Sequence, residues 1–299
     1  RKGFLERDCQ RLVNQDRNIF ASCMVANGDA DGLVTGSTRN YFVAYDDITR
    51  VIEPAPKSRI FGMSIIMVEG RTLFVADTTV HHLPSSEELA DIACQTAEIA
   101  KKLGYNPRVA MLSFANFVNP AIEGTERVHG AIEVLNSRKV DFEYDGEMTV
   151  DVALNPKSLA FYPFCRLSRP ANILIMPGLH SANIASRLID SVGAGKTIGP
   201  LLTGLKNSAQ IVKVGASVSE IVTLALFAAY DSSKPNTFSS SDNNKLMSKK
   251  AKTITELALA TEAIKIMQQN QIYSLVVLNE NNKPKGLIRM HDLVEAGIV

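Results

Sequence analysis

The sequence predicts an α/β protein built on doubly wound, largely parallel sheets. Three observations carry this prediction: β-type runs alternate with helix-type runs, one helix has complete start and stop signals, and a polar segment sets off a short second unit. The β-type runs are residues 63–68, 72–76, 108–114 and 172–176. A chain of 299 residues is long enough for roughly two domains, each with its own core.

Two helices carry capping signals. Residues 85–103 begin at Ser85 or Ser86, repeat apolar side chains at helical spacing and stop at Gly104. We assign that helix to the core, without chemistry. A second pattern, Ser217-x-x-Glu220, precedes an apolar run and fits a capping box.

The C-terminal part forms a separate small unit. Residues 231–245 are rich in serine and asparagine, so we place a linker at 232–250, between a domain at 1–231 and a unit at 251–299. That unit has the order strand, helix (257–269), strand (274–278), strand (286–290), helix. Such a βαββα unit is small for independent stability, and we expect it to pair with a copy of itself or to dock on another surface.

Composition excludes several function classes. A formal net charge of +1 argues against nucleic-acid or membrane-surface binding and favours a small-molecule or protein partner. No apolar run approaches the length of a membrane span. The four scattered cysteines favour reduced thiols in a cytoplasmic protein without a metal site. The chain opens on Arg1 instead of Met, and we expect a fragment or a processed chain.

Glycine-rich and histidine-containing segments are candidate ligand sites. Residues 193–197 lack the first glycine of a phosphate loop, because Asp190 stands there, so a helix C-terminal glycine is favoured. Residues 28–36 form either a tight helix-to-strand turn or the wall of a site. His180 opens a helix after a strand, where sites occur in open α/β sheets.

Three acidic residues lie close together at 145–151. Asp145 and Glu147, with Asp151 nearby, are suitable for acid/base work, but an acidic loop without chemistry is the commoner explanation. Both interpretations stay open at this point.

Several segments in fixed order resemble the phosphate acetyltransferase and butyryltransferase family. They are GDADGLVTG (28–36), LFVADTTV (73–80), AMLSFANF (110–117), DGEMTVDVAL (145–154), ANILIMPGLHSANIASRLI (171–189) and IGPLLTGL (198–205). With TRNYFVAYDDITRVIEP (38–54), the chain is most similar to the acetyltransferase-like C-terminal domain of bacterial NADP-dependent malic enzymes. The resemblance covers 1–231 and implies a two-subdomain α/β fold whose first strands precede Arg1.

The resemblance also implies site residues. In active family members CoA thiolate attacks acetyl phosphate in a cleft between two subdomains. Arg50 matches the arginine that holds phosphate, although a surface ion pair is its alternative role. Ser113 and Asn116 face the same cleft, and His180 and Asn183 lie where a helix start can meet phosphate.

Three positions depart from the active family pattern. Active members carry a serine-arginine pair and, six residues after the arginine, an aspartate that assists thiol deprotonation. Here these positions are Lys213, Val214 and Glu220. We therefore expect a regulatory and oligomerising module that binds acetyl-CoA as its ligand and has no tightly bound cofactor. We expect this module to form a dimer. An active phosphate acetyltransferase, with Lys213 supplying the missing charge, is the alternative, and a truncated product without either function is a third.

Residues 263–299 resemble the last cystathionine-β-synthase (CBS) repeat of arabinose 5-phosphate type sugar isomerases. Nucleotide-binding repeats carry Gly-x-x-Thr/Ser-x-x-Asp, whereas this chain has Gly286, Arg289 and Asp292 at those positions. The resemblance implies a single CBS-like repeat in which Asp292 is the nucleotide-binding candidate.

Overall fold

The computed structural model describes residues 3, 5–68, 70–118, 123–193, 195–232, 252–255, 258–270, 274–281 and 283–289. The chain divides into two compact units, Arg1–Ser233 and Lys234–Val299. Residues 233–250 of the predicted linker, the predicted last helix and Asp292 lie outside the described ranges.

The first unit contains nine helices and eight strands among its described residues. The helices are α1 (Glu6–Gln15), α2 (Arg17–Asn27), α3 (Tyr41–Val51), α4 (Ser86–Lys102), α5 (Glu126–Arg138), α6 (Val150–Leu154), α7 (Pro156–Leu159), α8 (Leu179–Ser191) and α9 (Val218–Ser232). The strands are β1 (Gly32–Gly36), β2 (Phe61–Val68), β3 (Arg71–Ala76), β4 (Arg108–Leu112), β5 (Glu143–Met148), β6 (Ile173–Ile175), β7 (Lys196–Thr203) and β8 (Ser208–Val212).

The larger sheet has the order β5-β4-β6-β3-β2-β7. Strands β3, β6, β4 and β5 pair in parallel, and β2 pairs antiparallel with both β3 and β7. The predicted parallel sheet is therefore confirmed for most of its strands. Strand β2 runs the other way because the pairing of Val68 with Arg71 leaves a two-residue connection, which can join only antiparallel strands.

Helices cover both faces of this sheet. Side chains alternate along each strand, so Phe74 and Met111 pack with α4 and α5 on one face, while Val75 and Leu112 pack with α6 and α8 on the other. Helix α4 begins at Ser85, one of the two cap residues that its sequence predicts, and the cap is a capping box: Ser85 Oγ accepts from Glu88 N, and the Glu88 carboxylate accepts from Ser85 N.

A second, two-stranded sheet pairs β1 with β8 in parallel. Its core joins α2 and α3 to these strands through buried side chains that include Val25, Leu33, Ile48 and Ile211. Gly28 ends α2 in the left-handed region at φ 86°, so the first part of residues 28–36 is a helix-to-strand turn. Two sheets in one unit give the two-subdomain arrangement that the sequence predicts.

The C-terminal unit contains β9 (Thr253–Thr255), α10 (Ala260–Asn270), β10 (Ser274–Leu278) and β11 (Pro284–Arg289). Strand β10 lies between β9, its parallel neighbour, and β11, its antiparallel neighbour. The order strand, helix, strand, strand agrees with the prediction within the described residues. The helix begins at Ala260 and not at residue 257.

In the described part of the chain, no helix has the length and hydropathy needed to cross a bilayer. The same residues contain no cluster of three or more histidine, cysteine or acidic side chains that could ligate a metal ion. All four cysteines are free thiols, and Cys9 is exposed because α1 buries none of its side chains.

Candidate functional site

The loops that follow the parallel strands meet at one edge of the larger sheet. Ligand sites of open α/β sheets lie at the carboxyl ends of such strands. Here that edge carries the loop after β3, residues 113–118 after β4, and the start of α8 after β6. His82 joins the loop after β3 to α8 and to α3. Its carbonyl accepts from Leu179 N of α8, and its ring stacks on Phe42 of α3 at 6.4 Å between centroids.

An ion pair joins the loop after β8 to the first turn of α9. Lys213 Nζ lies 2.6 Å from Glu220 Oε1. Glu220 Oε2 accepts from Ser217 N at 2.7 Å and from Ser217 Oγ at 2.9 Å, while Ser217 Oγ accepts from Glu220 N at 3.3 Å. The predicted capping box is confirmed, and both carboxylate oxygens of Glu220 have partners.

These contacts determine what Glu220 can do chemically. The hydrogen bond from the Lys213 ammonium, together with the bonds from Ser217, lowers the pKa of Glu220 from 4.5 to about 2. A general base works best when its pKa is near the operating pH. A carboxylate with so low a pKa is a poor acceptor for a thiol proton, because the free thiol pKa is about 8.5.

We expect the ion pair to make stability depend on pH. The pKa of Glu220 is lower in the folded chain, so its contribution is complete above the unfolded pKa and decreases as the pH falls towards 2. The Glu220 side chain is 38% exposed, so solvent screening limits the expected loss in Glu220→Gln to about 1 kcal/mol at pH 7. Chemical unfolding at several pH values measures this difference.

The control for this prediction removes the other partner. In a Lys213→Met background, Glu220→Gln should cost less, and the pH-dependent difference should shrink. Lys206→Met removes an exposed lysine elsewhere on the surface, and in that background the pH-dependent difference should stay unchanged. An equal difference in both backgrounds would contradict the assignment of the effect to the ion pair.

Val214 and Arg50 are the two positions at which the resemblance places an arginine in active members. Val214 presents an apolar side chain that is 65% exposed, where the resemblance places an arginine in active members. Arg50 lies in the last turn of α3 and is exposed. Among the described residues no acidic partner is recorded for Arg50, so its guanidinium is available to an anionic ligand.

Ser113 and Asn116 occupy the loop after β4 and link it to the end of β5. Ser113 N donates to Met148 O, and Asn116 Oδ1 accepts from both the backbone N and the Oγ1 of Thr149. The Asn116 oxygen is therefore committed to the fold. Its amide N–H groups and the Ser113 hydroxyl remain the donors that this loop can offer a ligand.

His180 and Asn183 lie in the first turns of α8. His180 is exposed and Asn183 is half-buried. No side chain caps the start of α8 at Gly178, and Leu179 N donates to His82 O. The next backbone N–H groups and the positive end of the helix dipole are what this helix start can offer an anion. Anion binding here, which the resemblance implies, stays a prediction, and no bond joins His180 or Asn183 to Arg50 or Lys213.

The predicted acidic residues lie on β5 and at the start of α6, and their contacts are structural. Asp145 is buried and accepts from Arg166 N and Arg166 Nη2. Asp151 accepts from the Thr149 hydroxyl. Glu147 is fully buried, and Val118 N donates to its Oε1. All three accept hydrogen bonds from the fold, which favours a structural role over acid/base work. Asp145 and Glu147 lie on a strand, however, and not in the acidic loop that the sequence predicts.

Asp77 and its contact with His81 were not predicted from the sequence. Buried Asp77 accepts from the backbone N–H groups of Gly62, Thr79, Val80 and His81, and its Oδ2 lies 2.7 Å from His81 Nδ1. The available signal was an aspartate directly after a β-type run, since aspartate side chains commonly accept from the following backbone N–H groups.

Comparison with known proteins agrees with this architecture. Residues 1–229 match the family described as Phosphate acetyl/butaryl transferase, and residues 244–298 match the CBS domain. The chain is 55% identical over 231 residues to the NADP-dependent malic enzyme of Rhizobium meliloti (strain 1021), covering 77% of this chain and 30% of that protein. The chain thus spans less than a third of the length of these malic enzymes.

Two phosphotransacetylases are also similar. The phosphate acetyltransferase of Clostridium acetobutylicum is 31% identical over 233 residues, which cover 75% of this chain and 69% of that protein. The crystal structure of a phosphotransacetylase from Streptococcus pyogenes superposes with a TM-score of 0.72 at 30% identity, covering 77% of this chain and 71% of that one.

Proposed function

Because the chain belongs to the Phosphate acetyl/butaryl transferase family, we propose that residues 1–231 form an acetyl-CoA-binding regulatory module that does not transfer the acyl group. Acetyl-CoA is its ligand, and phosphate a weaker one at the same site. Residues 232–250 connect this module to a single CBS-like repeat at 251–299. The protein acts in the cytoplasm.

The single observation that carries the proposal is the Lys213–Glu220 ion pair. The carboxylate at the position of the family's catalytic aspartate is saturated by Lys213 and Ser217, and its lowered pKa makes it a weak base. Lys213 is in turn neutralised by Glu220, so its ammonium is a poor replacement for the arginine that active members carry at position 214. Arg50 and the start of α8, which can hold an anionic ligand, are still present.

The site residues divide by role under this proposal. Arg50 and the start of α8, with His180 and Asn183, supply positive potential for the phosphate groups of CoA. Ser113 and Asn116 supply neutral donors from the opposite loop. Asp292, outside the described residues, is the nucleotide-binding candidate of the CBS-like repeat.

Self-association is part of the proposal. Helix α8 and its C-cap residue expose three apolar side chains at successive four-residue intervals: Ile184 at 65%, Leu188 at 59% and Val192 at 66%. Such a stripe is costly in water and suits the self-complementary interface of a two-fold dimer. A monomeric mass by light scattering at micromolar concentration would contradict this part of the proposal.

Binding and turnover can be separated with one variant. Arg50→Ala should weaken equilibrium binding of acetyl-CoA about tenfold, because a charge-assisted hydrogen bond to phosphate is lost. Arg7→Ala, which removes an exposed arginine of α1, is the matched control and should bind as the unchanged chain does. Phosphate-dependent CoA release by the unchanged chain, abolished by Arg50→Ala, would instead establish an active phosphate acetyltransferase.

A further inference from the structure

A cavity of about 480 Å³ opens beside His81. It is lined by side chains of α3, the loop that follows α3, the loop after β3, and α4. Neither Arg50 nor Lys213 lines it, nor do the other candidate residues for acyl-CoA. Its volume is in the range of small-molecule sites, which are typically about 300–1,000 Å³.

His81 lines this cavity and is held in a fixed orientation. Its Nδ1 lies 2.7 Å from Asp77 Oδ2, and its side chain is only 16% exposed. Because Asp77 accepts the Nδ1 hydrogen, Nε2 is the nitrogen left for a ligand, and no partner for Nε2 is recorded in the described part of the chain. A neutral ring would accept there from a ligand hydroxyl, and a protonated ring would donate.

Two cations line the same cavity. Arg59 donates through Nε and Nη2 to Asp91 and through Nη1 to Glu88, which fixes the plane of its guanidinium and leaves further N–H groups on Nη1 and Nη2. Lys57 lies in the loop at φ 61° and is exposed. No acidic partner for Lys57 is recorded within the described ranges.

The remaining polar lining favours an anion. Asp91 is the acidic residue of the lining, and its two oxygens bind Arg59 and Arg138. Burial raises the pKa of the Tyr45 phenol, which therefore keeps its proton and can donate. Ser58 adds a hydroxyl. The cavity thus combines an excess of cationic and neutral donors with one oriented imidazole.

We propose that this cavity binds a small phosphate monoester, at a site separate from that of acetyl-CoA. A lysine and an arginine edge from the loop after α3 and an imidazole from the loop after β3 line this cavity. Such an arrangement fits the three free oxygens of a tetrahedral phosphate better than the two of a planar carboxylate. The volume left beside the phosphate accommodates a short polyol or a single ring.

Imidazole NMR signals of the whole chain test the proposal, with glycerol 3-phosphate as the probe and glycerol as the uncharged reference. The His81 signal is assigned by its absence in His81→Gln. Glycerol 3-phosphate should shift this signal saturably, and glycerol should not. Lys57→Gln should raise the dissociation constant about tenfold, since it removes one charged donor to phosphate.

Two controls make the result specific. Lys139→Gln removes another exposed lysine with a left-handed backbone, φ 51°, at the end of α5, and should leave the affinity unchanged. Arg50→Ala should also leave it unchanged. The proposal is overturned if the His81 signal does not move with glycerol 3-phosphate, or if its shift depends on Arg50 and not on Lys57.

Discussion

The triple variant Lys213→Ser, Val214→Arg, Glu220→Asp is expected to release CoA from acetyl-CoA, in the presence of phosphate, about a hundredfold faster than the unchanged chain. Lys213→Ser removes the cation of the Lys213–Glu220 ion pair, and Val214→Arg places a cation at position 214. Glu220→Asp leaves a shorter carboxylate that has no lysine partner. A positioned general base contributes about 10²–10⁴ in rate, and fixed charge on the reacting group adds to it. A thiol-reactive dye measures the released CoA.

The matched control keeps the first two substitutions and places asparagine at position 220. That protein carries the same charge at 213 and 214 but no carboxylate, so its rate should stay near the background. The account of these three positions fails if the triple variant binds acetyl-CoA normally and yet remains as slow as the unchanged chain.

Asp77→Asn is expected to lower the free energy of unfolding by about 3 kcal/mol. The buried carboxylate of Asp77 collects four backbone N–H groups and the His81 ring. An asparagine amide has one oxygen in place of two, so at least one donor group of His81 faces an NH₂ group inside the protein. Buried donors without acceptors cost about 1–3 kcal/mol each. Denaturant unfolding at pH 7 measures the loss.

Asp151→Asn provides the comparison. Asp151 is exposed and accepts from the hydroxyl of Thr149, so its replacement should change stability by less than about 0.5 kcal/mol. Equal losses in the two variants would mean that the Asp77 network does not hold the loop after β3 in place.

Local signals in the sequence predicted much of this architecture. The Ser-x-x-Glu pattern at 217–220 correctly predicts a capping box, because the residues that form it are three apart on one helical turn. The start of α4 is correctly predicted at Ser85 or Ser86. The β-type runs predict β2, β3, β4 and β6 of the larger sheet but not β5 or β7. The direction of β2 follows from the short connection to β3, which the alternation of strand and helix does not reveal.

The side-chain chemistry of the site was less accessible from sequence. The capping box placed Glu220 against Ser217, but the approach of Lys213 depends on the turn at Gly215, whose φ is 73°. The contact of His81 with Asp77 likewise depends on the shape of a loop and not on helical periodicity. Both are contacts within irregular backbone, where sequence spacing does not determine which side chains meet.

Calorimetric titration of acetyl-CoA into the whole chain in phosphate buffer tests the central claim most directly, since one trace reports both binding and turnover. A binding isotherm that saturates and returns to baseline after each injection is the predicted result. Continuing heat that requires phosphate and disappears in Arg50→Ala would contradict the claim that the Lys213–Glu220 pair has replaced the catalytic machinery. Absence of any binding heat would contradict the claim that the site takes acetyl-CoA.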